Sequence, residues 1–180
     1  MLDLSSAFDT VDHPILLSIL QQRFAVTDSA LDWFSSYLTN RSCSVHLESD
    51  VSEAITVNCG IPQGSSLGPK IFIAYTEELD EVFDQHQLHN HCFADDTQAY
   101  VDVPRPHAAT AATQLQNCIV DVANWCGARR LQLNPSKTEV MWFGTTASLQ
   151  CIPSSERTIV VGTNTITPAE SVRDLGGCAV

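Results

Sequence analysis

The stretch "HCFADDTQAYVDV", residues 91–103, constrains the fold most strongly, because it predicts two short strands joined by a tight turn. Strands joined so closely pair antiparallel. Further strands are predicted by "MLDLS", "SCSVHLES", "SEAITVNCG", "TEVMWFG" and "RTIVVG", and helices by "PILLSILQQRFAV", "DSALDWFSSYLTN", "KIFIAYTEELDEVF" and "AATQLQNCIVDVANWC". Interleaved strands and helices with an antiparallel pair predict an α+β fold.

Length and composition indicate one domain over residues 1–180, because 180 residues with 44% hydrophobic content are enough to bury a core. The formal net charge of −12 disfavours diffuse binding to phosphate backbones, so any contact with nucleic acid is expected to be local. Seven cysteines without CxxC spacing favour a reduced compartment, nuclear or cytoplasmic. We expect neither secretion nor membrane insertion, since no signal-peptide pattern or transmembrane-length apolar run is present.

The adjacent aspartates Asp95 and Asp96 need an explanation, because like charges repel unless a cation or hydrogen-bond donors offset them. The ordinary interpretation is a turn, where aspartate is common and solvent screens the repulsion. The functional interpretation is a hairpin tip that presents carboxylates to a divalent cation such as Mg²⁺, which prefers oxygen ligands. The pair alone does not decide between these two interpretations.

A second motif indicates a different chemistry. The segment "GSSLG", residues 64–68, fits the GxSxG pattern of serine hydrolases, with Ser66 as the nucleophile. Asp95, Asp96 and His107 follow later in the chain, in the order of the hydrolase triad. The strands that follow are predicted to be antiparallel rather than part of βαβ units, and nothing near His107 is predicted to orient it. A serine hydrolase is therefore an alternative that the rest of the pattern does not favour.

Four segments in order resemble the reverse-transcriptase domain of non-LTR (LINE-type) retrotransposons, in particular the jockey-like branch. They are "LDLSSAFDTVDH" (2–13), "GIPQGSSLGP" (60–69), "FADD" (93–96) and "LQLNPSKTEVMWFG" (131–144). The segment "VRDLGG" (172–177) is similar to the next motif, the primer grip. The resemblance thus covers motifs A to E and nearly the whole chain.

The resemblance implies an RNA-directed DNA polymerase, a nucleotidyltransferase that uses two Mg²⁺ ions, with Mn²⁺ as the alternative. It implies an RNA template with a DNA primer and deoxynucleotides as partners, and no membrane. In such a site the primer 3′ hydroxyl attacks the α-phosphate of the incoming nucleotide. By resemblance, Asp3 is the motif-A metal ligand, Asp95 the main hairpin ligand and Asp96 its auxiliary neighbour, and the backbone carbonyl of Leu4 also contacts a metal.

Other residues acquire substrate roles by the same resemblance. Phe8 matches the aromatic residue under the nucleotide sugar, where its ring would clash with a 2′ hydroxyl. Gln63 and Gly64 match residues that contact the incoming nucleotide and the template pair, and Lys137 matches the motif-D general acid. The ordinary interpretations are a core phenylalanine for Phe8, a loop at a helix entry for Gln63 and Gly64, and a solvated lysine for Lys137. Asp12 and His13, which lie in the same motif as Phe8, are predicted only to start a helix, with one of them near its cap.

The sequence also departs from the family pattern, and these departures lead to further predictions about the fold and the activity. The chain begins at motif A and stops just after "VRDLGG", so we expect a palm domain truncated at both ends, with fingers and thumb largely missing. The palm is expected to be an antiparallel sheet backed by helices, of the RRM or ferredoxin-like type. Ser6 stands where family members often have lysine, and Lys70 occupies a usually apolar place. A catalytically inactive remnant of a reverse transcriptase is therefore the main alternative.

Overall fold

The computed structural model describes residues 1–93, 96–169, 171–174 and 177–179. These residues form two compact units. We call Met1–Ser5, Glu78–Ala128 and Gln132–Val180 the hairpin unit, and Ser6–Glu77 with Arg129–Leu131 the helical unit. Helices and antiparallel strand pairs occur together in the chain, as the α+β prediction requires. That residues 1–180 act as a single domain stays a prediction.

The helical unit is built on three helices, which are α1 (His13–Phe24), α2 (Asp28–Leu38) and α3 (Gly68–Thr76). Helix α1 begins where Asp12 accepts a hydrogen bond from Ile15 N at 3.0 Å, and it ends where Ala25 adopts a left-handed conformation. Helix α1 packs against both α2 and α3. The buried side chains at this core include Leu16, Ile19, Leu20, Leu38, Ile61, Phe72 and Tyr75.

Between α2 and α3 the helical unit forms two small antiparallel pairs, in agreement with the predicted strands. Strand β1 (Arg41–Cys43) pairs with β4 (Ile55–Val57), and β2 (His46–Leu47) pairs with β3 (Asp50–Val51). Their apolar side chains are largely exposed, which distinguishes these pairs from the buried helical core.

The hairpin unit contains helix α4 (Leu79–Gln85), and the predicted hairpin follows as β5 (His89–Phe93) and β6 (Asp96–Tyr100). The register runs from His89 opposite Tyr100 to Phe93 opposite Asp96. The next elements are α5 (Ala108–Ala128), α6 (Thr146–Gln150), β7 (Ile159–Val161), β8 (Asn164–Ile166), β9 (Val172–Asp174) and β10 (Gly177–Ala179). Strands β7 and β8 pair antiparallel, as do β9 and β10.

Helix α5 organises the core of the hairpin unit by packing against α4 and β7. The Gln116 amide pairs with the backbone of Val160, since its Nε2 donates to Val160 O and its Oε1 accepts from Val160 N, both at 2.6 Å. Burial raises the pKa of Cys118 to about 11 and that of Cys126 to about 12. These two thiols therefore stay protonated near neutral pH and serve packing rather than chemistry.

Two predicted strands and one predicted helix differ from the structure. The segment "MLDLS" makes only isolated bridges at Leu2 and Leu4, and the helix predicted at "KIFIAYTEELDEVF" is divided into α3 and α4. The segment "TEVMWFG", residues 138–144, forms no strand and instead makes isolated backbone bonds. Glu139 N donates to Met1 O at 3.0 Å, and Ala169 N donates to Val140 O at 2.8 Å. Met1 N also donates to Glu139 O at 2.9 Å. A reciprocal pair of bonds to Met1 and one bond to Ala169 do not make a ladder, although the β-branched and aromatic residues favour one. Among the described residues, no helix combines the length and apolar character needed to cross a bilayer.

Candidate functional site

Asp3 lies in a short segment of the hairpin unit that is paired on both sides. On one side Leu2 pairs with Thr97 of β6, with Leu2 N to Thr97 O at 2.7 Å and Thr97 N to Leu2 O at 3.2 Å. On the other side Leu4 forms an antiparallel bridge with Leu133. Leu2 and Leu4 are buried while Asp3 is half-buried, as expected for side chains that alternate along an extended segment. The Asp3 carboxylate therefore faces away from two core leucines.

The aspartates of the hairpin are only partly described. Asp96 is the first residue of β6 and directly precedes Thr97, the partner of Leu2. Backbone pairing thus brings the segments of Asp3 and Asp96 together. Asp95, the predicted main metal ligand, lies outside the described residues. Within the described ranges, which do not contain Asp95, no three or more His, Cys, Asp or Glu side chains form a cluster that would hold a metal.

The two carboxylate oxygens of Asp3 have different surroundings. Oδ1 lies 3.7 Å from Nζ of Lys137. Oδ2 is buried and has no hydrogen-bond partner in the described part of the chain. A buried carboxylate oxygen without a donor is costly, so it indicates a partner other than the described residues. A divalent cation, which prefers oxygen ligands, fits this position.

The turn that carries Lys137 is organised by Asn134, a residue that the sequence analysis missed. Asn134 N donates to Asp3 O at 2.8 Å, and Asn134 O accepts from Lys137 N at 3.2 Å. Its side-chain Oδ1 accepts from Ser136 N at 3.1 Å and from Ser136 Oγ at 2.6 Å. The Asn-Pro dipeptide in "LNPSK" is a turn signal that would have identified this residue. Asn134 therefore links the backbone of Asp3 to the turn that brings Lys137 near its carboxylate.

The backbone around Leu4 has a specific hydrogen-bond pattern. Ser5 N donates to Gln132 O and Asn134 N donates to Asp3 O, both at 2.8 Å. The pairing of this segment therefore does not use the carbonyl of Leu4. That this carbonyl contacts a metal, as the resemblance to motif A implies, stays a prediction.

In the helical unit, the segment of Phe8 is paired with the segment that enters the loop "GIPQGSSLG". Gly60 N donates to Val11 O and Ile61 N donates to Phe8 O, both at 2.8 Å. Gly60 has a φ of +80°, and a Cβ atom at this residue would lie 2.8 Å from Asp9 O. Only glycine fits so close to the neighbouring backbone in this conformation.

The structure brings together the predicted nucleotide-contacting residues of the helical unit. The Phe8 ring stacks on Phe72 of α3, with ring centroids 4.6 Å apart and an interplanar angle of 26°. Gln63 Nε2 donates to Oδ1 of Asp9, the residue after Phe8, at 2.8 Å. Gly64 has a φ of +78°, and a Cβ atom there would meet nothing within 4 Å. Phe8 is thus a packed residue and not a free platform, whereas Gln63 and Gly64 are exposed.

His13 is a second residue whose role the sequence analysis missed. It is 5% exposed, and its Nε2 lies 2.9 Å from Gly60 O. Arg41 Nη1 donates to the same carbonyl at 2.8 Å. No local signal predicts this contact, because Gly60 is 47 residues away in the chain.

Asp12, in contrast, starts helix α1 as predicted and also makes contacts beyond that role. Its Oδ1 accepts from Ile15 N, and its Oδ2 lies 3.1 Å from Nε of Arg130. Asp12 N donates to the hydroxyl of Tyr75 at 3.3 Å, and that hydroxyl donates to Arg129 O. Burial raises the pKa of Tyr75, so the hydroxyl stays protonated and keeps this donor role.

Comparison with known proteins decides the family. A sequence model of the family described as reverse transcriptase (RNA-dependent DNA polymerase) matches residues 1–176. The chain belongs to the reverse transcriptase family. The resemblance seen in the sequence motifs is therefore confirmed across almost the entire chain.

Three curated relatives of this reverse transcriptase domain are transposon proteins. The chain is 29% identical over 142 residues to "Probable RNA-directed DNA polymerase from transposon BS" of Drosophila melanogaster, covering 76% of this chain and 15% of that protein. It is 25% identical over 181 residues to "Retrovirus-related Pol polyprotein from type-1 retrotransposable element R2" of Popillia japonica, covering 93% of this chain and 28% of that protein. It is 28% identical over 146 residues to "Probable RNA-directed DNA polymerase from transposon X-element" of Drosophila melanogaster, covering 79% of this chain and 15% of that protein.

These matches confirm a reverse-transcriptase domain of a non-LTR element, and the jockey-like branch stays a prediction. The chain spans less than a third of the length of each of these relatives. Reverse transcriptases use divalent metal ions, and such an ion suits the buried Oδ2 of Asp3, which has no partner in the part of the chain that the structure describes.

The hydrolase alternative gains no support. Ser66 is exposed, whereas the two histidines of the helical unit bond elsewhere, His13 to Gly60 O and His46 to Ser44 Oγ. A serine nucleophile needs a base within hydrogen-bond reach. Within the described part of the helical unit, no histidine serves Ser66 in this way, and the family match accounts for the "GSSLG" segment instead.

Proposed function

We propose that this chain carries the palm of an RNA-directed DNA polymerase from a retrotransposon, with an RRM-like antiparallel sheet at its centre. The observation that supports it best is Asp3. In this chain of the reverse transcriptase family, one oxygen of the Asp3 carboxylate is buried and has no hydrogen-bond partner among the described residues. The same carboxylate lies near the Lys137 amine, in a segment that pairs with the start of β6. The ordinary interpretation of Asp3 as a structural residue leaves that buried oxygen unexplained.

The residues proposed to hold divalent metal are Asp3, Asp95, Asp96 and the backbone carbonyl of Leu4. Mg²⁺ suits them, since all of the donor atoms are hard oxygens. When bound, two such ions would activate the primer 3′ hydroxyl and offset charge on the leaving pyrophosphate. The chain's own contribution is to fix the carboxylate of Asp3 through the backbone bonds of Leu2 and Asn134.

The proposed substrates are a deoxynucleotide and an RNA template with a DNA primer. In the helical unit, Gln63 and Gly64 are exposed in a loop and are proposed to contact the incoming nucleotide. Phe8 is proposed to lie under its sugar and to exclude a 2′ hydroxyl. The stacking of Phe8 on Phe72 would hold its ring in one orientation, which such a steric filter needs.

Lys137 is proposed as the general acid that protonates the leaving pyrophosphate. We expect Lys137→Ala to lower the rate of single-nucleotide incorporation about a hundredfold, because a positioned proton donor contributes roughly this much. The rate is measured by rapid-quench primer extension at saturating deoxynucleotide. Lys70→Ala, which removes the charge of an exposed lysine in α3, is the matched control and should leave the rate unchanged. An equal effect of both substitutions would reject the role of Lys137.

The proposed function is tested by primer extension on an oligo(dT)-primed RNA template with Mg²⁺, comparing the chain with Asp95→Ala. We expect the unaltered chain to extend the primer and Asp95→Ala to abolish extension, because Asp95 is the proposed main metal ligand of the hairpin. Circular dichroism of both proteins shows whether they are folded. If both are folded and neither extends the primer, the polymerase proposal is rejected for this chain, and an inactive reverse-transcriptase remnant replaces it.

A further inference from the structure

The loop 60–68 is anchored in the helical unit at the residue where it begins. The carbonyl oxygen of Gly60 accepts from His13 Nε2 at 2.9 Å and from Arg41 Nη1 at 2.8 Å. A carbonyl oxygen has two lone pairs, so both of its acceptor positions are used. Because a carbonyl cannot donate, Nε2 of His13 must carry a hydrogen. The two side chains thus act on one backbone atom from two different elements, the start of α1 and strand β1.

The other end of the same loop is anchored separately. Ser65 Oγ accepts from the hydroxyl of Tyr37 at 2.7 Å and from Gly68 N, at the start of α3, at 2.9 Å. The residues between the two anchored ends include Gln63 and Gly64, both exposed. A loop fixed at both ends presents its middle in a narrow range of positions, which lowers the entropic cost of binding a ligand there.

We infer that His13 and Arg41 are positioning residues, which hold the Gly60 carbonyl and thereby set where Gln63 and Gly64 meet the incoming nucleotide. This inference rests on the proposed function. His13 is buried and bonds to the loop backbone, so it acts through Gly60 and not by touching the nucleotide. Neither residue is assigned such a role by its position in motif A or in β1.

The first test measures the kinetics of deoxynucleotide incorporation for His13→Ala and Arg41→Ala. Each is expected to raise KM for the nucleotide about tenfold, with kcat within about twofold, because one buried hydrogen bond to the loop is lost and the other remains. His13→Gln places an amide donor near the position of Nε2 and should recover most of the affinity. The double alanine variant should cost at least the product of the two single effects, because it leaves the Gly60 carbonyl without either of these donors.

His46→Ala is the matched control for histidine removal, since His46 is exposed and bonds only to Ser44 among the described residues. Arg23→Ala is the control for arginine, because Arg23 lies in α1 and pairs with Glu77, which is not part of the loop 60–68. Both should leave KM unchanged. Wild-type activity with an unchanged KM in His13→Ala and Arg41→Ala would overturn the inference.

A second readout needs no activity and separates this inference from the proposed function. Hydrogen exchange of the Gly60 and Ile61 amides, which donate to Val11 O and Phe8 O, reports directly on the anchored loop. We expect about tenfold faster exchange in His13→Ala and Arg41→Ala, and wild-type rates in His46→Ala. If the chain extends no primer, faster exchange still supports the anchor while the polymerase proposal fails. Unchanged exchange overturns the inference in either case. Arg41→Ala and His13→Gln keep this test usable if His13→Ala does not fold.

Discussion

Asp3→Asn is expected to reduce primer extension at least about a thousandfold while the chain stays folded. Asparagine has nearly the same shape as aspartate but lacks the charge that a divalent ion needs from a ligand, and transition-state charge stabilisation of this kind contributes several kcal/mol. The buried Oδ2 has no donor among the described residues, so removing the charge relieves an unfavourable burial. We therefore expect the metal-free stability of the variant to equal or exceed that of the wild type.

Metal-dependent stabilisation provides the decisive measurement for Asp3. Mn²⁺ that binds only the folded chain raises the melting temperature of the wild type, by an amount that follows from its concentration relative to the Kd. Asp3→Asn should lose this increase, whereas the matched control Asp102→Asn, an exposed aspartate of the same unit, should keep it. If Asp3→Asn extended primers within tenfold of the wild-type rate, Asp3 would not be a metal ligand.

Gly60→Ala is expected to have the largest effect on stability, with a loss of about 3 kcal/mol or more in the free energy of unfolding. An added Cβ would lie 2.8 Å from Asp9 O, closer than nonbonded atoms approach, and the φ of +80° is itself unfavourable for alanine. The neighbouring atoms belong to backbone that is held by Ile61 N and Gly60 N, so they have little freedom to move. Urea unfolding followed by circular dichroism measures the loss.

Alanine substitutions at two other glycines distinguish the cost of the steric clash at Gly60 from the cost of its positive φ. Gly64 has a φ of +78° but open space around it, so Gly64→Ala should cost only about 1 kcal/mol. Gly127 lies in helix α5 with nothing within 4 Å of an added Cβ, so Gly127→Ala should stabilise the chain by up to about 1 kcal/mol. Equal losses at all three glycines would mean that the close approach of Gly60 to Asp9 is not important.

Local patterns in the sequence predicted most of the secondary structure. The hairpin of β5 and β6 is marked by residues that are neighbours in the chain, and so is the start of α1 at Asp12. The strand predicted at 138–144 failed, because a strand needs a partner, and Val140 and Glu139 bond to two different segments. Side-chain propensity does not specify which partner is available.

The arrangement of the candidate site depends on contacts between distant segments, which a single sequence does not specify. The resemblance identified Asp3 and Lys137 as separate motif residues, but only the structure shows their side chains 3.7 Å apart and Asn134 between their backbones. The contact of His13 with Gly60 likewise joins two motifs that the sequence analysis treated independently. The motifs indicated candidate residues, while tertiary pairing determines what each one contacts.

The alternation of Leu2, Asp3 and Leu4 has a consequence for how this chain tolerates change in length. Side chains along an extended segment alternate between two faces, so inserting or deleting one residue beside Asp3 would exchange the faces. The carboxylate would then point into the core and a leucine would take its place beside Lys137. Substitutions in this segment alter one side chain at a time, but a single-residue insertion or deletion removes the carboxylate from its position while every residue type remains present.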